Sequence, residues 1–456
     1  QYTFPGNAWI GHHYSEPLRP WPRDAEGRDL SWYRNNAFGS YKSYFTVGEY
    51  AEFFGGYWHD SDFGFGHWAR YDDVPGQKIW IWGLSRQGMI WEDLLTDSDG
   101  QYSEPQAGRL FNQTDHALFP PRSGDRWNEI WFPYKDIGPM VAATPRAAVS
   151  LVRKAAEVTL GICPLEELED ELVVTQGNRE LLRERLSQRP LETLTRNFKA
   201  GEGSEWLQVR LGGRVVYTED PSAVRLQRPI HFREYAGDTL EDRFLAAERL
   251  VQERNYVQAL PLFLELLESE PLHTRALSRV AELYNRRGEY ALALEHAKRA
   301  LDYAMYDPHA NFAFGVITRG LGRILDAKEA FGWAARSLLF RSAAYSQMAD
   351  IFLLENDYAT ALEYGQRAEQ YDTHNPTALQ VQAIALRKAG ERAEAEKRLG
   401  QILSFDPLNH TARFELYRLA PNETSRDRFL SLVRTEYAHE TFMEMALYYM
   451  GIGLKE

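Results

Sequence analysis

The sequence has a single cysteine, fewer basic than acidic residues and no long apolar run. Its one cysteine, Cys163, cannot form a disulfide within the chain. The cysteine content therefore does not distinguish an oxidising from a reducing compartment. The formal net charge is −13 and no basic run stands out, which argues against a nucleic-acid partner. No window approaches about 18 continuous apolar residues, so we expect no membrane span and no membrane partner.

Targeting signals are also scarce. No signal peptide is visible, which favours a cytoplasmic protein. The sequence begins at Gln1 without a methionine, so we expect a processed form or a fragment.

Aromatic residues, by contrast, are plentiful and unevenly placed. They make up 13% of the chain, and most of its 12 tryptophans lie between Trp9 and Trp131. Aromatic side chains favour strands and bury large areas, and their flat rings also stack on sugars. The concentration predicts an aromatic β core or a sugar-binding cleft, and one β-sandwich can provide both.

The first two parts of the chain both have β patterns. Residues 1–145 carry aromatic and β-branched patches such as Ile79–Trp82, separated by loops rich in Gly, Asp, Asn and Pro. Residues 146–238 contain short strands with polar spacing and a predicted hairpin turn at Gly212-Gly213. This second stretch predicts a small accessory β-sandwich without concentrated functional groups.

A 34-residue repeat dominates the second half of the chain. Alanine recurs at this step, with a larger residue three positions earlier and, in most repeats, a Gly or Asn two positions before that. The alanines are Ala259, Ala293, Ala327, Ala361 and Ala395; the turn positions are Arg254, Gly288, Gly322, Asn356 and Gly390. Because Gly and Asn tolerate positive φ, the recurring turn positions predict tight turns between helices.

The period and the small residue at the predicted helix crossing resemble the tetratricopeptide repeat (TPR). The resemblance implies a TPR-type α-solenoid over residues 239–424, with residues 425–456 as a helical cap. The inner-helix positions show no concentrated charge stripe. We therefore expect the repeats to serve self-association or the docking of a protein partner.

Residues 97–121 concentrate polar and aromatic side chains. Within them, Glu104, Gln106 and the tail from Phe111-Asn112 to Phe119-Pro120 resemble the late strand of aldose 1-epimerases. In that family this glutamate is the general base at the anomeric hydroxyl. The resemblance implies that Glu104 is a catalytic base or acid.

The whole chain resembles a bacterial family of unassigned function that joins an epimerase-like β-sandwich to a small β module and tetratricopeptide repeats. The residues that carry this resemblance are Asp29–Tyr33, Phe53–Tyr57, Gly76–Gly83, Trp91, Leu95–Gly100 and Trp131–Tyr134. It implies that residues 1–145 are the C-terminal part of a galactose-mutarotase-like β-sandwich, because roughly half of such a sandwich precedes the matching segment.

Two more carboxylates are candidate catalytic groups. Glu92 follows Trp91, and Glu129 lies between Trp127 and Trp131. Glycoside hydrolysis uses a second carboxylate about 5–9 Å from the first. A turn carboxylate is the alternative for Glu92, and a core strand at the sandwich edge is the alternative for the Glu129 segment.

Seven side chains are candidates for sugar binding, by stacking or by hydrogen bonding. They are Trp58, His59, His67, Trp80, Trp91, Gln106 and Arg109. The two histidines stand among aromatic and acidic residues and could bind hydroxyls or transfer protons. A hydrogen-bonded structural role is their alternative.

No metal or cofactor is predicted, with Ca²⁺ as the alternative. Cys and His spacing typical of zinc does not occur. Asp97, Asp99 and Glu104 form a sparse oxygen set, but the glutamate comes too early for an EF-hand. An Asp-Gly turn that leads into a strand explains the same residues.

The sequence therefore predicts a carbohydrate-active protein that acts at an anomeric centre, as a glycoside hydrolase or an epimerase-like enzyme. The alternative is a non-catalytic glycan-binding or sensing module whose repeats recruit a protein partner. A scaffold without any site is the third hypothesis.

Overall fold

The protein divides into two compact units. The computed structural model describes residues 1–5, 9–11, 19–96, 99–113, 117, 119, 121–122, 124–201, 205–227 and 239–454. The N-terminal unit comprises residues 1–115 and 127–234, and the C-terminal unit comprises residues 116–126 and 235–456. The C-terminal unit thus includes a short segment from the first third of the chain.

The first half of the N-terminal unit consists of antiparallel strands in two sheets. The strands are β1 (Tyr2–Thr3), β2 (Trp9–Gly11), β3 (Arg19–Pro20), β4 (Lys42–Val47), β5 (Phe53–Trp58), β6 (Phe63–Ala69), β7 (Gly76–Ile81), β8 (Ser103–Gly108) and β9 (Glu129–Lys135). Sheet I has the order β3-β2-β4-β7-β8, and sheet II has the order β1-β5-β6-β9. Between β7 and β8 lie a short helix, α1 (Met89–Trp91), and a π-helical turn, Glu92–Thr96.

The two faces of β7 have different environments, because successive strand residues point to opposite sides of a sheet. Ile79 and Ile81 are fully buried and pack in a core cluster with Tyr44 and Phe54. The alternate positions, Lys78 and Trp80 among them, face the other way. This alternation sets the position of the candidate site.

The second half of the N-terminal unit is a small antiparallel β-sandwich. Its strands are β10 (Ala142–Ala143), β11 (Ala147–Lys154), β12 (Glu157–Pro164), β13 (Leu168–Gln176), β14 (Arg179–Gln188), β15 (Leu194–Lys199), β16 (Leu207–Leu211) and β17 (Arg214–Thr218). They form the sheets β10-β11-β12-β15 and β14-β13-β16-β17 around one apolar core. The predicted hairpin turn is confirmed, since Gly212 and Gly213 have φ of 57° and 77°.

The C-terminal unit is a helical solenoid that resembles TPR. Its helices are α2 (Leu240–Gln252), α3 (Tyr256–Ser269), α4 (Thr274–Arg286), α5 (Tyr290–Tyr303), α6 (Pro308–Gly320), α7 (Ile324–Ala334), α8 (Leu338–Leu354), α9 (Tyr358–Tyr371), α10 (Pro376–Ala389), α11 (Arg392–Phe405), α12 (His410–Leu419), α13 (Glu423–Ser431) and α14 (Ala438–Gly451). Throughout the described residues no helix combines the length and hydropathy needed to cross a membrane.

The recurring alanines and the recurring turn positions of the repeat are both confirmed. The five alanines are all 0% exposed, so they lie where neighbouring helices approach closely. The five turn residues, from Arg254 to Gly390, have positive φ between 58° and 87°. Two helices of the repeats begin at proline, α6 at Pro308 and α10 at Pro376, where the missing N–H costs no hydrogen bond.

The same substitution should have opposite effects at two glycines of one repeat. Gly390 ends α10 with φ of 87°, whereas Gly400 lies inside α11, and a Cβ atom would meet no neighbour at either position. We expect Gly390→Ala to lower the free energy of unfolding by about 1 kcal/mol through left-handed strain. Gly400→Ala should raise it by about 0.5–1 kcal/mol through helix propensity. Thermal unfolding followed by far-UV circular dichroism measures both, and shifts of the same sign would contradict this account.

Candidate functional site

The candidate site lies on the face of sheet I opposite its buried isoleucines. In the β7–β8 ladder Trp80 is directly opposite Glu104, and Lys78 is directly opposite Gln106. Residues opposite each other in an antiparallel pair share one face of the sheet. The fold therefore places the side chains of Lys78, Trp80, Glu104 and Gln106 together, and we call this surface the Glu104 face.

Aromatic rings surround one end of the Glu104 face. Trp80 meets Trp82 edge to face with ring centroids 4.5 Å apart, and Trp82 stacks on Trp91 of α1 at 6.3 Å. Tyr41 stacks on Trp80 at 5.9 Å, and Tyr102 lies 6.2 Å from Trp80. The structure thus connects two of the predicted stacking residues, Trp80 and Trp91, through Trp82.

Glu104 is half-buried and keeps hydrogen-bonding capacity. Its Oε2 accepts a hydrogen bond from Nε2 of Gln106 at 3.2 Å. Among the residues with a described structure, Glu104 forms no ion pair with Lys or Arg. A carboxylate offers about four lone-pair positions, so Glu104 can accept further hydrogen bonds from a ligand.

Lys78 is a functional candidate that sequence reasoning missed. It is 6% exposed, and its Nζ donates to the carbonyl oxygen of Leu110 at 2.9 Å. Burial lowers the pKa of Lys78 to about 8, which makes the ammonium group a usable proton donor near neutral pH. The available signal was its position two residues before Trp80, which places both side chains on one face of a strand.

Trp58 lines a separate cleft of about 880 Å³ in the N-terminal unit. The cleft is also lined by Tyr33, Phe63, Tyr102 and Ser103, and the Trp58 side chain is 55% exposed there. Tyr102 therefore belongs both to this cleft and to the aromatic surroundings of Trp80. An exposed indole in an aromatic cleft is a surface on which a sugar ring can stack.

Glu92 lies in the π-helical turn, near the wall of this cleft. The hydroxyl of Tyr33 donates to the carbonyl oxygen of Gln101 at 2.7 Å. Burial first, and then the charge of Glu92, raise the pKa of Tyr33 to about 12. Glu92 is therefore close enough to act electrostatically on a residue that lines the cleft.

His59 is exposed at the end of β5. Its ring stacks on Trp32 with centroids 4.9 Å apart, and its Nε2 is 2.9 Å from Oε1 of Gln1. These contacts fix the orientation of the ring beside Trp58.

His67 and Glu129 form a pair in sheet II. Nε2 of His67 is 3.1 Å from Oε2 of Glu129, and the Trp131 ring is 4.6 Å from the imidazole. His67 is 1% exposed. Burial lowers its pKa, and the neighbouring Glu129 offsets part of that effect. His67 on β6 and Glu129 on β9 both belong to sheet II, whereas Glu104 on β8 belongs to sheet I. The His67–Glu129 pair is thus separate from the Glu104 face.

Arg109 is engaged within the protein just beyond the end of β8. Its Nη1 donates to the carbonyl oxygen of Asp73 at 2.6 Å, and the guanidinium lies 5.0 Å from the centroid of the Trp127 ring. A role in sugar binding would require Arg109 to share these contacts with the ligand.

The oxygen set considered for Ca²⁺ is only partly described. Asp97 lies outside the described residues. Within the ranges given above, no three His, Cys, Asp or Glu side chains are grouped closely enough to hold a metal ion.

Comparison with known proteins gives two family matches. Residues 1–134 match the family described as "Domain of unknown function (DUF5107)", and residues 241–353 match the TT21 fifth ARM repeats domain. The expected pairing of an N-terminal domain of unassigned function with helical repeats is thereby confirmed. The resemblance of the first domain to galactose mutarotase stays a prediction.

Several solved structures are similar to part of the chain. pilF of Pseudomonas aeruginosa is 19% identical over 48% of this chain and 97% of its own, with a TM-score of 0.40. PilW, a widely conserved type IV pilus biogenesis factor, is 16% identical over 45% and 100%, with a TM-score of 0.41. YrrB, a TPR protein with an unusual peptide-binding site, is 17% identical over 39% and 92%, with a TM-score of 0.33. At these values the similarity carries no inference about function.

The buried histidine should make stability depend on pH. The folded protein favours neutral His67, whereas the unfolded chain takes up a proton near the ordinary value of 6.5. The free energy of unfolding should therefore fall as the pH drops through that value towards the lowered pKa. Denaturant unfolding between about pH 7.5 and pH 5.5 should show a smaller loss in His67→Gln than in the wild type. An unchanged slope in His67→Gln would contradict the assignment.

Proposed function

We propose that the N-terminal unit binds a carbohydrate on the Glu104 face and transfers a proton at its anomeric centre. The observation that carries the proposal is the cross-strand placement of Glu104 opposite Trp80, with Gln106 bound to the carboxylate. Such a site combines a ring for stacking, an amide that orients the base and a carboxylate that can accept a hydroxyl proton. It agrees with the resemblance of this strand to aldose 1-epimerases.

The proposed chemistry assigns separate tasks to Glu104 and Lys78. Glu104 takes the proton of the anomeric hydroxyl, while Lys78 gives a proton to the ring oxygen as the bond from that oxygen to the anomeric carbon breaks. Ring closure on the other face reverses both transfers, so protons balance over the cycle. Diagonal positions of an antiparallel pair lie about 7–8 Å apart, a separation that a sugar ring can bridge.

Hydrolysis is less well supported than proton transfer. A glycoside hydrolase needs a second carboxylate across the bond that is cleaved. Glu129 is bound to His67 in sheet II, and Glu92 lies in the turn near Tyr33. The galactose-mutarotase-like fold and a sugar substrate remain part of the proposal, since they rest on resemblance at Glu104 and its neighbours.

A second candidate is a non-catalytic glycan-binding module whose repeats recruit a protein partner. The contact of Glu129 with His67 favours this candidate. Because Glu129 is paired there, it is not available as the second catalytic carboxylate beside Glu104. The TPR-like solenoid suits protein docking. Under this hypothesis Glu104 serves only as a hydrogen-bond acceptor for the sugar.

Replacement of Glu104 by glutamine tests the proposal on the whole chain. Against a panel of aldoses and oligosaccharides, anomer exchange measured by NMR should fall about 100-fold in Glu104→Gln, because the base is lost while the shape is kept. Sugar binding measured by calorimetry should change little. Glu169→Gln, on β13 of the small sandwich, is the matched control and should behave as the wild type. Unchanged turnover in Glu104→Gln would contradict its role, and binding without turnover in both proteins would favour the sensing module.

A further inference from the structure

A groove of the repeats is lined in part by two residues from outside the repeats, Phe119 and Pro121. Residues 116–126, which we call the inserted segment, follow β8 in the sequence but belong to the C-terminal unit. Phe119 and Pro121 line a groove of about 690 Å³, together with the repeat residues Tyr256, His309, Phe312, Val316 and Phe340. We call this surface the repeat groove.

Arg122 of the inserted segment is bound to a buried acid. Its Nη2 lies 2.8 Å from Oδ2 of Asp350 on α8, a side chain that is 1% exposed. Arg319 of α6 contacts the same oxygen at 3.2 Å and also donates to Gln347. An unpaired buried carboxylate is strongly unfavourable, and a planar guanidinium is the cation best suited to a buried pairing. The pocket around Asp350 is therefore built for arginine.

Arg122 satisfies this pocket only in part. Its Nη1 and the Oδ1 atom of Asp350 are both buried without a hydrogen-bond partner among the described residues. The hydroxyl of Tyr448, contributed by α14, is also buried nearby, and burial followed by the charge of Asp350 raises the pKa of Tyr448. Buried polar atoms are normally paired. A ligand arginine that also reached Oδ1 would bind this pocket better than Arg122 does.

The backbone of Gly124, in the inserted segment, also fits closely against the repeats. The amide nitrogen of Gly124 donates to Oδ2 of Asp372 at 3.3 Å, and a Cβ atom at Gly124 would lie 2.8 Å from the carbonyl oxygen of His374. Arg122 itself has φ of 52°, a left-handed conformation that is unfavourable for a side chain of this size. Such strain persists where surrounding contacts hold it, and it is common at ligand clamps.

The groove nevertheless has room beside the segment. Phe119 is 65% exposed although it lines the groove, so its ring covers the apolar wall only partly. A ligand with a better-seated aromatic side chain would bury more apolar surface.

We propose that the inserted segment is an intramolecular ligand, and that the groove binds in its place a partner segment with an aromatic residue three positions before an arginine. The arginine of the partner takes the Asp350 pocket, and its aromatic ring takes the wall at Phe312 and Phe340. This inference gives the partner docking proposed above a site and a chemistry. It is independent of the sugar chemistry at Glu104.

The tether makes the inserted segment a strong competitor. A covalently attached segment acts at a high effective concentration, about millimolar for short flexible links. An external peptide must therefore compete with Arg122, and removal of Arg122 should expose the pocket. This difference gives the proposal a direct test.

The probe is a fluorescein-labelled peptide with the sequence of residues 117–127, added to the whole chain and followed by fluorescence polarisation. Arg122→Ala should bind the peptide at least about tenfold more tightly than the wild type, because its own segment no longer fills the Asp350 pocket. Arg126→Ala, in the same segment but on an exposed side chain, should behave as the wild type. A peptide with alanine at the Arg122 position should bind none of these proteins.

Two further variants separate recognition from folding. Gly124→Val should also strengthen peptide binding, because its side chain clashes with the His374 carbonyl and displaces the segment without touching Asp350. Asp350→Asn combined with Arg122→Ala should lose peptide binding while far-UV circular dichroism stays unchanged. Failure of a folded Arg122→Ala protein to bind the peptide, or equal binding of the alanine peptide, would overturn the proposal. Sugar binding by Arg122→Ala should equal that of the wild type, so this test and the Glu104 test fail independently.

Discussion

The C-terminal unit depends on the close approach of helices at one alanine per repeat. Each of these methyl groups is completely buried, and a larger side chain would separate the helices. Positive φ at the turn five residues earlier brings the second helix of each pair back along the first. Within the described part of this unit, the buried carboxylates Asp350 and Glu415 are both paired with arginines, Asp350 with Arg319 and Arg122 and Glu415 with Arg387.

The repeats could be predicted from the sequence because their constraint is local and periodic. The strands of the small sandwich were only partly predictable. β14 (Arg179–Gln188) has mostly polar residues on both faces and shows no apolar alternation. Its pairing with β13 is supported by the ion pair of Arg183 with Glu171. Glu184 of β14 also pairs with Arg196 of β15, a strand of the other sheet. A sequence pattern does not identify such partners, because only the register and packing of the strands decide which charges meet.

The candidate site was predictable residue by residue, but not as an arrangement. Glu104, Gln106 and Trp80 were each candidates, and only the β7–β8 register places them on one face. Lys78 was missed because a lysine between strand residues is normally solvent-exposed. The contact of Arg122 with Asp350 was missed for the opposite reason, since a loop arginine gives no signal of a buried partner far away in the sequence.

The central claim is that a carbohydrate binds where Trp80 faces Glu104. The most direct measurement is the change in intrinsic tryptophan fluorescence when a panel of sugars is titrated into the whole chain, with Trp80→Ala and, as a control in the repeats, Trp333→Ala. The account predicts a saturable change with at least one sugar that Trp333→Ala keeps and Trp80→Ala loses together with affinity. A saturable change with equal affinity in Trp80→Ala, or none with any sugar in the wild type, would contradict it.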